Sequence, residues 1–153
     1  MSNHLVVIGG GQAGFSLIAK LRSMGDARCI SLVTAEAYPP YQRPPLSKKY
    51  LIGQTGVERL LLRPFKWYED HSVSLFLQSK VSSIDVQNKS VLLESGQSLT
   101  YSSLALTTGA DTIKLPKSMG GDLDGVYTLR NIDDVDNIAG QLKTTSSILI
   151  IGG

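Results

Sequence analysis

The segment Leu5-Val6-Val7-Ile8-Gly9-Gly10-Gly11-Gln12-Ala13-Gly14 constrains the fold more than any other part of this sequence. Four apolar residues running straight into G-x-G-x-x-G describe a buried strand that must turn sharply and enter a helix. Each glycine of the pattern has a physical job. Gly9 permits the tight turn out of the strand. Gly11 lets the backbone approach a pyrophosphate without a Cβ in the way, and Gly14 lets the helix pack close to the strand. The start of such a helix presents unpaired N–H groups and a partial positive charge, which suits phosphate. The continuation agrees with this reading. Phe15, Ile18, Ala19 and Leu21 recur at helical spacing over Gly14–Met24, and Gly25 is a helix stop. Arg28–Thr34 then reads as a second strand, so that strand, turn, helix and strand make a βαβ unit of roughly the 30 residues expected. An acid near the end of the second strand would accept hydrogen bonds from a ribose, and Glu36 lies in that region.

The sequence closes on the first half of the same phrase, Ile148-Leu149-Ile150-Ile151-Gly152-Gly153. Two such turns in one polypeptide suggest two nucleotides, and here only the first turn is whole. With 153 residues, one domain is the expectation, and the chain is long enough for a real core. No apolar run approaches the roughly 20 residues of a membrane span, and Leu5–Ile8 is too short for a secretory signal. Cys29 is alone, so there is neither a disulfide framework nor a C-x-x-C pair, and a reducing, cytoplasmic setting fits. The net charge of +2, with no basic block, leaves nucleic-acid binding without an electrostatic footprint.

Between the two phrases, Tyr38–Pro45 carries four prolines in eight residues, which forbids a regular helix or central strand. Leu46–Leu51 is expected to form a short helix ended by Gly53, and Pro64–Asp70 another with the proline in its first turn. Val73–Leu77, Val81–Val86, Ser90–Leu93 and Leu99–Tyr101 are short strand candidates, separated by turn signals at Asn88 and Ser95–Gln97. Ser103–Thr107 reads as another buried strand, Asp111–Asp124 as loop, Val126–Leu129 as a strand, Ile132–Leu142 as a helix and Ser147–Ile151 as a last strand. The fold class expected is α/β. It has a Rossmann-like βαβ unit in a parallel sheet and a small antiparallel β element.

The segment Tyr41-Gln42-Arg43-Pro44-Pro45-Leu46-Ser47-Lys48-Lys49-Tyr50-Leu51, placed after a glycine turn and a second strand, resembles the ferredoxin reductases of bacterial oxygenase systems. These are the putidaredoxin- and rubredoxin-reductase-like, FAD-dependent members of the pyridine nucleotide–disulfide oxidoreductase superfamily. Leu61-Leu62-Arg63-Pro64 with Trp67-Tyr68 is similar to the family's Arg-Pro and aromatic segment. Val81-Ser82-Ser83-Ile84-Asp85 resembles its V-x-x-I-D, and Leu104–Ala110 its apolar strand ending in A-T-G-A. Leu129–Asp134 resembles its L-R-T-x-x-D. The resemblance implies that the backbone around Gly9, Gly11, Ala13 and Gly14 holds the FAD pyrophosphate and that the Val81 backbone meets the adenine. It also implies that Thr108 and Gly109 lie beside the AMP half and that Arg130 touches the cofactor. Lys48 with the Arg43-Pro44 backbone would sit near the isoalloxazine or pyrophosphate, where a fixed cation favours negative charge on the flavin.

Two departures stand out. The family's ribose acid falls thirteen positions before the lysine, which is Ala35 here, with the acid one residue later at Glu36. Either Glu36 reaches in, or the ribose is held less well. Asp111 stands where the family has Arg after T-G-A. The superfamily's redox cysteines are absent from the proline-rich segment, and Cys29 reads as a small buried core residue. His4 and His71 read as structural or solvent-facing, without metal spacing, and Tyr38 and Tyr41 as packing residues, with Tyr41 able to border the cofactor.

The resemblance thus implies an FAD-dependent NAD(P)H oxidoreductase passing electrons to a [2Fe–2S] ferredoxin or a rubredoxin, with no catalytic triad, nucleophile or metal site in this chain and no nucleic-acid or membrane partner. It implies an incomplete FAD domain: residues 1–110 as the N-terminal part, 111–146 as a connection and 147–153 as the first strand of a truncated NAD(P)H domain. The alternatives are a non-catalytic FAD- or ADP-binding fragment and another flavin oxidoreductase of the superfamily, nitrite-reductase-like or apoptosis-inducing-factor-like.

Overall fold

A computed structural model describes residues 3–145 and 147–152. The chain divides into two compact units. One comprises the segment up to Gln42 together with Leu61–Gly109, the other Arg43–Leu60 together with the segment from Ala110 onward.

The first unit is built on a parallel sheet of four strands, β1 (His4–Ile8), β2 (Cys29–Val33), β3 (Val73–Phe76) and β7 (Ser103–Leu106), in the order β3-β2-β1-β7. Leu5 lies opposite Ile30 on one side and Ser103 on the other, so β1 is fully flanked. Helix α1 (Gln12–Ser23) connects β1 to β2, and the short α2 (Phe65–Asp70) precedes β3. A separate antiparallel sheet of β4 (Val81–Asp85), β5 (Ser90–Leu93) and β6 (Ser98–Thr100) completes the unit.

The alternation of side chains along β1 sorts the core into two layers. Leu5 and Val7 join Phe15, Ile18, Ile30, Leu32, Tyr68 and Val73 on the helical side. Val6 and Ile8 meet Val33, Val91 and Leu93 on the side of the antiparallel sheet. A strand with apolar residues at every position is what burial on both faces requires. Phe15, Trp67 and Tyr68 form an aromatic cluster, with Trp67 and Tyr68 edge to face at 5.1 Å between centroids. The Tyr68 phenol is buried without a hydrogen-bond partner among the described residues, and burial pushes its pKa up.

Polar stitching supports the layers. The Arg22 guanidinium donates to the carbonyls of His71, Asp26 and Arg28 at 2.6–2.8 Å, tying the end of α1 to the chain entering β3 and to the turn before β2. His4 bridges the Thr100 carbonyl (Nδ1, 2.7 Å) and the buried Ser31 hydroxyl (Nε2, 2.9 Å). His71 stacks on Trp67 at 4.2 Å. Both histidines thus make contacts within the fold, and no cluster of metal-binding side chains occurs among the described residues.

In the second unit, α3 (Ile132–Leu142) has the limits expected from its periodicity. Asn131 caps it. The Asn131 side chain accepts from the Asp134 N–H (2.8 Å) while the Asp134 carboxylate accepts from Arg130 (2.7 Å) and Asn131 (3.2 Å). Tyr50 donates to Asp136 on the same helix at 2.8 Å.

The structure corrects several expectations. The helix over Leu46–Leu51 is a 3-10 turn at Pro44–Ser47, because two successive prolines fix φ where no amide donor is needed. Residues 111–124, expected to be loop throughout, include a short 3-10 turn at Lys117–Met119. Val126–Leu129 forms no strand, and neither do the described residues of Ser147–Ile151. Among the described residues neither segment has a strand to pair with. β7 is half-buried rather than buried, since among the described residues it is flanked by β1 alone and lies at the sheet's edge. Cys29 is exposed because it opens β2 at the sheet's rim, with burial beginning one residue later. Among the described residues no helix is long and apolar enough to cross a membrane.

Candidate functional site

The glycine turn of the first unit lies at the C-terminal ends of β1, β2 and β7, where open α/β sheets bind ligands. Gly9 adopts φ +113°, and a Cβ there would lie 2.2 Å from the Thr107 carbonyl oxygen. A Cβ on Gly14 would fall 2.4 Å from the Gly9 carbonyl oxygen and 2.9 Å from the Thr107 hydroxyl. The glycines at these positions therefore exist because the end of β1, the start of α1 and the end of β7 come into backbone contact. Gly11 differs. A Cβ there would meet nothing within 4 Å, so its backbone faces open space.

Gly11 is also the N-cap of α1, without a side-chain cap and with no acidic residue in the first turn, while Lys20 and Arg22 occupy the last turn. The first N–H groups of a helix have no intrahelical acceptor. An α-helix of this length that begins with glycine, no carboxylate and open space at the cap is suited to an anion. The residues present thus fit a diphosphate.

The remaining first-unit residues singled out from the sequence surround this end of the sheet. Ala13 is exposed on the first turn of α1, and Thr108 and Gly109 are exposed just beyond β7, Gly109 with φ +72°. Val81, half-buried, opens β4 at a register irregularity with β5. Ala35 is exposed past the end of β2 and carries no acceptor, whereas Glu36 is half-buried and firmly placed. Its N–H donates to the Thr34 hydroxyl (3.2 Å), its carbonyl accepts from Gln78 N–H (3.0 Å), and its Oε2 accepts from the Tyr41 hydroxyl.

Arg43, Pro44, Lys48 and Arg130 belong to the second unit. Arg43 caps the 3-10 turn and its Nη1 donates to the Arg130 carbonyl at 2.7 Å, so those two residues are brought together. Pro44 and Lys48 are exposed at the two ends of that turn, and Asp111 is exposed as well.

Sequence reasoning missed two participants and read a third, Tyr41, as a packing residue able to border the cofactor. Thr107 places its hydroxyl 3.0 Å from both the Ile8 and the Gly9 carbonyl oxygens, pinning the turn from β7. Gly10, the middle glycine of the run, is required because a Cβ would meet Thr34 Cβ and Oγ1 at 2.8 Å. Tyr41 is buried and engages Glu36. A third consecutive glycine and a threonine where the family motif has alanine were the available signals for the first two. The Tyr41–Glu36 pair depends on how residues 35–40 bend, and no spacing rule specifies that.

The pattern described as pyridine nucleotide-disulphide oxidoreductase matches residues 3–153. The chain is 36% identical over 149 residues to a rubredoxin-NAD(+) reductase of Pseudomonas putida, covering 97% of this chain and 38% of that protein. It is 39% identical over 148 residues to a rhodocoxin reductase of Rhodococcus erythropolis, covering 97% of this chain and 34% of that one. The crystal structure of the covalent putidaredoxin reductase–putidaredoxin complex superimposes with a TM-score of 0.83 at 33% identity, over 92% of this chain and 34% of that chain. The chain therefore spans about a third of the length of the relatives it matches.

Proposed function

The chain belongs to the pyridine nucleotide-disulphide oxidoreductase family, and from that premise we propose that it is the N-terminal FAD-binding part of a ferredoxin- or rubredoxin-type reductase. The observation that carries the reading is the uncapped, carboxylate-free start of α1 at Gly11, open toward space and locked behind by Gly9, Gly14 and Thr107. When bound, FAD would take hydride from NAD(P)H and release single electrons to a [2Fe–2S] ferredoxin or a rubredoxin.

This chain's own residues would bind and orient. The Gly11, Ala13 and Gly14 backbone would hold the diphosphate, and Gly9 would keep the turn tight enough to present it. Glu36 would accept from the adenosine ribose in place of an acid at Ala35. The Val81 backbone would meet adenine, and Thr108 and Gly109 would lie beside the AMP half. For Arg43, Pro44, Lys48 and Arg130 the support is the motif resemblance, with Lys48 supplying a fixed positive charge. Residues 1–110 would form the N-terminal part of the FAD domain, 111–146 a connection, and 147–153 the beginning of an NAD(P)H domain; Gly153 lies outside the described residues. A cytoplasmic location fits the lone exposed cysteine.

The test is reconstitution of the purified chain with FAD followed by gel filtration. A visible flavin absorbance band that travels with the protein at one flavin per chain supports the reading. A colourless protein that also fails to bind ADP overturns it.

A further inference from the structure

The acid that serves the ribose in this fold is displaced by one residue in this chain, and a displaced carboxylate needs something to aim it. Ala35 offers no acceptor at the place expected. In a regular strand a shift of one residue would send the side chain to the opposite face. Residues 35–40, however, form a run of bends rather than a strand, so the backbone leaves the direction of Glu36 open. Hydrogen bonds to its backbone hold the residue in place, and one to its carboxylate sets the direction. The Thr34 hydroxyl accepts from the Glu36 N–H (3.2 Å), and Gln78 N–H donates to the Glu36 carbonyl (3.0 Å). The third bond comes from the Tyr41 hydroxyl, which donates to Oε2.

Tyr41 is itself rigidly held. It is 3% exposed, pairs with Leu61 in an isolated antiparallel bridge, and its neighbour Pro40 accepts from Leu62 N–H at 2.9 Å. Thr34 is anchored in turn, its N–H donating to the Phe76 carbonyl (2.9 Å) and its carbonyl accepting from Ser79 N–H (2.8 Å). The carboxylate thus stands on a braced base at the C-terminal end of β2. A flexible glutamate would lose rotamer freedom on meeting a ligand. One already held by a buried phenol has lost that freedom beforehand, which is preorganisation.

We propose that Tyr41 is a positioning residue that aims the Glu36 carboxylate at the ribose hydroxyls of a bound adenosine diphosphate group. The proposal rests on the nucleotide-binding reading given above. Tyr41 acts only through Glu36, so its loss is expressed as lost discrimination for ribose hydroxyls rather than as lost nucleotide binding in general.

Calorimetric titration of the purified chain with ADP and with 2′,3′-dideoxy-ADP tests it. The wild-type chain is expected to prefer ADP by about tenfold or more, the scale of hydrogen bonds to a charged group. Glu36→Gln should bring that ratio close to one. Tyr41→Phe should lower it severalfold while leaving the affinity for the dideoxy ligand in place. A merely structural Tyr41 would weaken both ligands equally, and an unchanged ratio in Tyr41→Phe overturns the proposal. Should Tyr41→Phe fail to fold, Glu36→Asp, which keeps the charge but shortens its reach to the phenol, must lower the ratio, and a wild-type ratio there overturns it. A wild-type chain that binds ADP without preferring it to the dideoxy compound also overturns it while leaving the nucleotide-binding reading standing. A wild-type chain that binds neither overturns both.

Discussion

The same phrase, an apolar run into glycines, occurs at both ends of this chain and has two different structural outcomes. Leu5–Ile8 are at most 7% exposed, whereas Ile148–Ile151 are 64–85% exposed and form no strand. Composition does not separate them, since the second run is if anything more apolar. Neighbours do. β1 is flanked by β2 and β7, with a helical layer on one face and an antiparallel sheet on the other. No described strand pairs with residues 147–152. A parallel strand is a relation between segments, and an apolar run is only a candidate for that relation.

The contrast is sharpest at the glycines. Gly9→Ala should destabilise the chain by on the order of 4–5 kcal/mol, because a positive φ and a Cβ directed into the Thr107 carbonyl combine strain with a backbone clash. Gly152 also has a positive φ (+89°), but a Cβ there meets nothing within 4 Å, so Gly152→Ala carries only the backbone strain, about 1 kcal/mol, without the clash. Urea denaturation of the two variants side by side checks this, and equal losses would break the comparison.

The leucines of the two runs give the next largest difference. Leu5→Ala should cost about 3 kcal/mol, as a core truncation does. Leu149, 85% exposed, should be replaceable by alanine within about 0.5 kcal/mol. A comparable loss at Leu149 would mean that the second run is buried in solution.

What pins the first turn is polar as well as steric. Thr107→Val keeps shape and removes the hydroxyl shared by Ile8 and Gly9, for an expected loss of about 1 kcal/mol. Thr107→Ser should retain most of that stability in the same denaturation series.

The smallest effect is electrostatic. The Arg28 guanidinium, by hydrogen bonding, holds the Asp26 carboxyl below the usual carboxylate range in the turn between α1 and β2. A depressed folded-state pKa contributes stability that is present above the unfolded-state pKa and lost as pH falls through the folded one. Asp26→Asn should therefore flatten part of the acid-side decline in stability, and identical acid profiles for variant and wild type would remove Asp26 from the account.

Much of the first unit was legible in advance because its signals are local. The glycine pattern located the turn, helical spacing located α1, and the four short strands between residues 73 and 101 were marked off by turn residues. The capped helix α3 was legible for the same reason. Errors fell where an outcome depends on distant partners. Val126–Leu129 has strand-like composition without a strand to pair with, β7 lies at an edge, and Cys29 sits one residue outside the buried part of β2. In the candidate site, the steric reasons for Gly9 and Gly14 were legible. Thr107 was not, because its role depends on residues roughly a hundred positions away.

By itself the sequence determined the class of fold, the position of the glycine turn and the membership of a family whose motifs it carries in order. These are properties of short segments, where φ preference, side-chain period and cap chemistry act within a few residues. Only the tertiary structure decided which apolar run becomes a strand, which glycine faces a backbone and which faces open space, and where the displaced acid at Glu36 is held. Burial and close approach are made by segments remote in sequence, so the same phrase becomes a buried strand at one end of the chain and an exposed run at the other.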